Sequence, residues 1–239
     1  IAAVCVMSWT AVPKADGILT EGDYQYAVLN DGTVEITKYV GTDTKVVVPE
    51  SIDGKKVSGL RSYVFEGCTS VDNIVIPSGV VNLYWNAFSG CSNLTGVKLP
   101  EGLTNLAGGL FENCSKLTDI EIPSSVTTIE DWAFSGCTAL SNVVLPEKLE
   151  KIGTYAFLQT DIKSITIPAS VITIGDNPFS NCSSLDKIMV EAGNEYYYIE
   201  KNCLISNEGK VICGANNFTL PDNVTCIGAY AFADHKEII

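Results

Sequence analysis

Leu117-Thr-Asp-Ile120-Glu-Ile122-Pro123-Ser-Ser-Val126-Thr-Thr-Ile129-Glu-Asp-Trp-Ala133-Phe134-Ser-Gly-Cys137 has no way to bury its own apolar residues, and its spacing decides the architecture. Ile120 and Ile122 alternate as in a strand. Pro123 then ends the ladder, because it has no N–H to donate. Val126 and Ile129 follow at a spacing of three, and Ala133, Phe134, Cys137 and Leu140 turn inward after them. One such segment offers about eight core positions and no core.

Outward from this segment the pattern repeats. Phe65, Phe88, Phe111, Phe134, Phe157, Phe179 and Phe232 are separated by 23, 23, 23, 23, 22 and 53 residues. Pro77, Pro100, Pro123, Pro146, Pro168 and Pro221 keep the same beat, as do Cys68, Cys91, Cys114, Cys137 and Cys182. Three residue types in one register define stacked coils; the last gap is one repeat plus an insertion of about 30 residues. Coils stacked at the strand spacing of roughly 4.8 Å bury like residues in continuous columns, so stability becomes a nearest-neighbour property.

The repeat resembles that of the BspA-like leucine-rich-repeat family, close to L-x-x-I-x-I-P-x-x-V-x-x-I-G-x-x-A-F-x-x-C. Ile165-Thr-Ile167-Pro168, Val171, Ile174-Gly175, Phe179 and Cys182 carry the likeness, with Leu149, Ile152-Gly153 and Ala156-Phe157 and with Val224, Ile227-Gly228 and Ala231-Phe232. Leu110 and Pro178 depart from the Ala before Phe, and the coil at Phe157 lacks a residue and its Cys. The fold implied is an α/β-type repeat solenoid, mostly β with short irregular or 3-10 segments. It is a right-handed stack of about seven 23-residue coils over 46–239, cut short at its C-terminus. The resemblance also implies a non-enzymatic, secreted or cell-surface module for adhesion and protein binding. The second reading is a structural spacer presenting a further C-terminal domain.

The chain is 46% hydrophobic and 18% charged with mean hydropathy +0.20, a composition that folds rather than staying disordered. A net charge of -13 opposes nucleic acid and anionic lipid, because association would begin with repulsion. The expected partner is a protein or a cell-surface glycan, with no membrane insertion by the repeats and a monomeric state. Ile1 and Ile239 lead us to expect a fragment of a longer chain. Residues 1–17 open on Ile1-Ala-Ala-Val-Cys5-Val-Met7, whose length and apolarity suit a signal-peptide remnant or linker; a buried capping strand is the alternative.

Within 18–45, alternating runs around Asn30-Asp31-Gly32 predict an N-terminal hairpin cap that covers the open end of the stack. Asp53-Gly54-Lys55-Lys56 lengthens the first coil. At about 191–218 the beat fails, and strand-like runs flank Ser206-Asn-Glu-Gly209, which predicts a hairpin projecting from the stack. That insertion is either a recognition element or family architecture.

Catalytic, metal and cofactor sites are not expected. His235 is the one histidine, Glu121, Glu130 and Asp131 belong to a solvated face, and Gly108-Gly109 lacks the Lys-Ser/Thr of a phosphate loop. The periodic cysteines are expected as buried free thiols, and Cys203 and Cys213, flanking the hairpin turn, are the best-placed disulfide pair. N-x-[ST] matches at Asn93, Asn113, Asn181, Asn217 and Asn223 would accept glycans in a eukaryotic secretory pathway; several lie in the turn before Cys, where Asn is expected to hydrogen-bond. Tyr63, Trp132, Tyr155 and Tyr230 share the position two before Phe, with Tyr84 and Trp85 nearby, and form either a ligand-stacking stripe or rings packed on the next coil. Tyr196, Tyr197 and Tyr198 of the insertion, and Lys98 and Glu121 of the strand face, complete the candidate surface.

Overall fold

The computed structural model describes residues 17–229 and 231–232. The apolar opening run, Tyr230 and His235 lie outside the described residues. Among the described residues there are 21 short strands and no helix. The segments expected to be irregular or 3-10 are single turns closed by bonds such as Cys137 N–H to Phe134 C=O at 3.2 Å.

Two columns of parallel strands run up the stack. The first contains β4 (Lys45–Val47), β7 (Asn73–Val75) and β9 (Gly96–Lys98), then β11 (Asp119–Ile120) with β13 (Asn142–Val143), then β15 (Ser164–Ile167) with β17 (Lys187–Val190). Within each of these three groups the strands pair in register one coil on, as Ile74 with Val97 and Ile165 with Ile188. The second column is β6 (Lys55–Leu60), β8 (Asn82–Leu83), β10 (Asn105–Leu106), β12 (Thr128–Ile129), β14 (Lys151–Ile152) and β16 (Thr173–Ile174), and the seventh coil supplies β21 (Cys226–Ile227). Ile129 pairs with Ile152 and Ile152 with Ile174, so each apolar residue lies on its own equivalent.

A third ladder climbs the Phe edge although its residues are turns. The N–H of Phe65, Phe88, Phe111, Phe134 and Phe157 each donates to the carbonyl just before the next Phe, at 2.8–3.0 Å. Inside this edge the phenylalanines stack, with centroids 5.4 Å apart for Phe88–Phe111 and 5.3 Å for Phe134–Phe157 and ring planes within 9°. Tyr39 continues the column downward, 5.0 Å from Phe65, and Tyr24 lies beneath it.

The cysteine column is a hydrogen-bonded one. Cys91, Cys114, Cys137 and Cys182 each point a thiol at the carbonyl of the Phe one coil earlier, at 3.1–3.2 Å. Thr160 stands where the coil at Phe157 lacks its Cys, buried and bonded to Phe157 C=O at 3.0 Å. A hydroxyl of similar volume keeps the site both filled and satisfied. Burial pushes the Cys91 and Cys137 thiols up to about 12.

At the N-terminal end β1 (Leu19–Glu21), β2 (Tyr24–Val28) and β3 (Val34–Tyr39) form an antiparallel meander. Gly32 takes positive φ at the hairpin turn, and Asp31 accepts the N–H of Thr33 at 2.9 Å. β3 then pairs parallel with β6, so the cap joins the second column directly. Asp53 and Gly54, both at positive φ, turn β5 (Ser51–Ile52) back on β6, as Asp-Gly does in tight hairpins.

The insertion does not project. β18 (Tyr197–Glu200), β19 (Cys203–Ser206) and β20 (Lys210–Gly214) form an antiparallel meander whose last strand pairs parallel with β21, so it stands in the stack as a substitute coil. Alternation, reset by a bulge where Leu204 opposes Cys213 and Ile205 opposes Val211, explains why: Leu204 and Cys213 face the main core while Cys203, Ile205 and Val211 form a smaller one on the other face. Leu204 is opposite Cys213 and Cys203 opposite Gly214, so the two thiols point to opposite faces and remain free.

Candidate functional site

Two positions in each coil from Phe65 to Phe179 take a left-handed backbone. Two residues after Phe stand Gly67, Gly90, Asn113, Gly136, Gln159 and Asn181; two residues before it stand Tyr63, Asn86, Gly109, Trp132, Tyr155 and Asn177, with φ of 50–64°. Gly, Asn and Asp adopt this conformation readily, whereas a bulky residue pays about 1–2 kcal/mol for it. Gly109 therefore continues the repeat rather than interrupting it. Asn113 and Asn181 serve as conformational specialists at their turns. Asn93, two residues after Cys91, donates its side-chain amide to Thr69 C=O at 2.6 Å.

The aromatic stripe is the outer side of this edge. Tyr63 (51%), Trp85 (60%) and Trp132 (46%) are exposed, and Tyr155, half-buried, stacks on Trp132 at 6.4 Å and 22°. Trp132 and Tyr155 touch across neighbouring coils, and Tyr63, Trp85 and Trp132 still present area to solvent. Tyr84 is different. Its hydroxyl donates to the buried Glu35 at 2.9 Å, and Arg61 Nε donates to the other oxygen at 2.8 Å, which ties the cap to the first two coils. Burial, and Glu35 beside it, push the Tyr84 hydroxyl up to about 12. Arg61, Tyr84, Ala107 and Glu130 occupy the place where later coils have Gly153 and Gly175.

Glu130 and Asp131 are not solvated bystanders. Glu130 accepts from Gly108 N–H at 2.9 Å and from Asn105 at 2.8 Å, and Asp131 accepts from Thr154 N–H at 2.8 Å. Both carboxylates bind backbone donors of the turn edge and are half-buried. Tyr197 is likewise internal: buried, with its hydroxyl accepting from Ile174 N–H at 2.8 Å, a donor that a next coil would otherwise bind. Tyr196 is exposed and Tyr198 half-buried.

On the strand face Lys98, Glu121 and Val144 are exposed. Clefts of about 570 and 930 Å³ lie on either side of Glu121: the smaller at the break between β9 and β11, where the first strand column is unpaired, the larger along the paired β11 and β13 coils. Val144 is 74% exposed beside the larger one. Among the described residues there is no group of three His, Cys, Asp or Glu that could hold a metal, and no helix long and apolar enough to cross a membrane.

Six copies of the BspA type leucine rich repeat region match residues 58–186 and 210–239, more than half of the chain. The Treponema pallidum leucine-rich repeat protein TpLRR is 32% identical, with a TM-score of 0.68 over 73% of this chain and 84% of its own. A leucine-rich cell surface protein of Faecalibacterium prausnitzii is 28% identical, with a TM-score of 0.71 over 87% of this chain. The pneumococcal vaccine antigen PcpA shares the fold at 24% identity and a TM-score of 0.76 over 92% of this chain. The chain spans 65% and 62% of the latter two proteins' lengths. No curated protein sequence matches it.

Proposed function

The chain belongs to the BspA-type leucine-rich repeat family, and from that premise we propose that it is a non-enzymatic ligand-binding or adhesion module, displayed at or beyond a cell surface. One observation carries the reading. Tyr63, Trp132 and Tyr155 hold rings on the outer edge at a backbone position that Gly109, Asn86 and Asn177 fill without strain. The fold asks only for positive φ there, so the rings answer to something other than folding, and strain kept at an exposed aromatic is a mark of a binding surface. The Faecalibacterium protein, described as a cell surface protein, supports the location. A net charge of -13 turns the surface away from nucleic acid and toward proteins or glycans.

The test is direct binding of the folded chain to arrays of extracellular-matrix proteins and of glycans. Saturable signal that soluble protein competes away is expected. Silence on both arrays, with the fold verified by circular dichroism, would sink the proposal and leave the role of a spacer.

A further inference from the structure

We propose that the turn edge from Trp85 to Trp132 is a binding site for a neutral polysaccharide chain, an inference that rests on the ligand-binding reading above. The coil of Phe111 alone among the described Phe coils has glycine at both edge positions, Gly108 and Gly109. At Gly108 the vacancy is bordered from above by Asp131 C=O and the Glu130 carboxylate, 3.3 and 3.7 Å from the point a Cβ would take, and from the coil below by a tryptophan. That tryptophan, Trp85, has its Cε2 3.9 Å from the same point. The Asn86 carboxamide lies over Gly109, with Oδ1 where a Cβ would be, and Glu112 Oε2 is 3.5 Å from the same point. One coil further up, Trp132 stacks on Tyr155, so no side chain of Gly109 stands in line with its other side.

The exposed indoles of Trp85 and Trp132 thus stand one coil below and one coil above an edge that carries the Asn86 amide and the Glu112 carboxylate. Neither the Asn86 side chain nor the Glu112 carboxylate has a hydrogen-bond partner among the described residues, and both are half-buried. Their free capacity faces a ligand rich in hydroxyls. A pyranose has that chemistry: its C–H face lies on an aromatic ring, whose π-face is negative, while its hydroxyls donate to carboxylate and amide oxygens and accept from the amide NH₂. The track climbs two to three coils, roughly 10–15 Å, which suits two or three sugar rings of an extended chain rather than a terminal monosaccharide. Glu112, Glu130 and Asp131 together disfavour sulfated and uronic-acid chains by like-charge repulsion. An apolar peptide would leave Asn86 and Glu112 desolvated and unpaired.

The experiment is affinity electrophoresis of the intact chain in gels holding a soluble β-glucan, a mannan or a sulfated polysaccharide, followed by tryptophan-fluorescence titration with the matching oligosaccharide. Retardation by a neutral polysaccharide is expected. Trp85→Ala and Trp132→Asn should each weaken binding at least tenfold without lowering the thermal midpoint, since Trp85 is exposed and Asn already holds the same backbone at Asn86 and Asn177. Retardation only by the sulfated chain, or neutral-glycan binding that both variants retain, overturns the proposal. A protein ligand whose binding both variants leave unchanged overturns it too, while leaving the broader reading in place; absence of any ligand removes both.

Discussion

The Phe column and the column two residues before it climb one stack on one repeating backbone, yet they are composed in opposite ways. From Phe65 to Phe179 the first is Phe in every coil, because each ring fills a closed space and touches its equivalents at 5.3–5.6 Å. The second runs Tyr63, Asn86, Gly109, Trp132, Tyr155, Asn177, with nothing in common but positive φ. Packing dictates a side chain; a dihedral dictates only a tolerance. Residue choice in the second column is therefore free to serve a partner, and variation there is informative where variation in the first would be damage.

That contrast can be broken at several points. Phe111→Ala removes a fully buried ring from the middle of the column and should cost about 3–5 kcal/mol in urea unfolding, with loss of cooperativity between the two halves of the stack. Gly153→Ala should cost about 3 kcal/mol, because its Cβ would sit 2.4 Å from Asp131 N and Glu130 C, which are backbone atoms that cannot swing away. A loss under about 1 kcal/mol would show that the edge yields more easily than the interior.

Alkali probes the interior without mutation. Cys91 and Cys137 ionise near 12 in the fold because burial penalises the thiolate, against 9.0 for an exposed thiol. The raised value means that the folded state holds protons that the unfolded state releases. Stability is thus complete below pH 9 and falls between pH 9 and 12, by about 1.4 kcal/mol per thiol per pH unit. Urea midpoints across that range check it, and iodoacetamide at pH 8 should label the exposed Cys226 while sparing the column. The smallest effect belongs to the outer column: Trp132→Asn should move stability by less than about 1 kcal/mol, as relief of the left-handed strain offsets the stacking lost with Tyr155. A destabilisation approaching that of Phe111→Ala would end the distinction.

Legibility followed the same division. Phe, Pro and Cys repeat, so their columns and the thiols' burial could be read from spacing alone. The aromatic stripe was visible as a pattern, but not that its backbone is left-handed, since Tyr and Trp are the residues least suited to signal it; Asn86, Gly109 and Asn177 in the same column were the available clue. Glu35, Arg61 and Tyr84 lie 26 and 49 residues apart and share no motif, so their network had no local trace. Tyr197 reads like its neighbours Tyr196 and Tyr198, and strand alternation on a substitute coil turns it inward.

The sequence by itself determined the period, the residues that fill each column and the places where the beat fails, because a stack of identical coils makes sequence spacing and spatial neighbourhood the same thing. The tertiary structure decided what neighbours 23 residues away do to one another. It set which carboxylates bind backbone donors, which rings remain open to solvent, and that the insertion stands in line as a coil. Those outcomes depend on the dihedral and the vacancy next door, as with Gly109 beneath Trp132, and a vacancy is a property of two coils together.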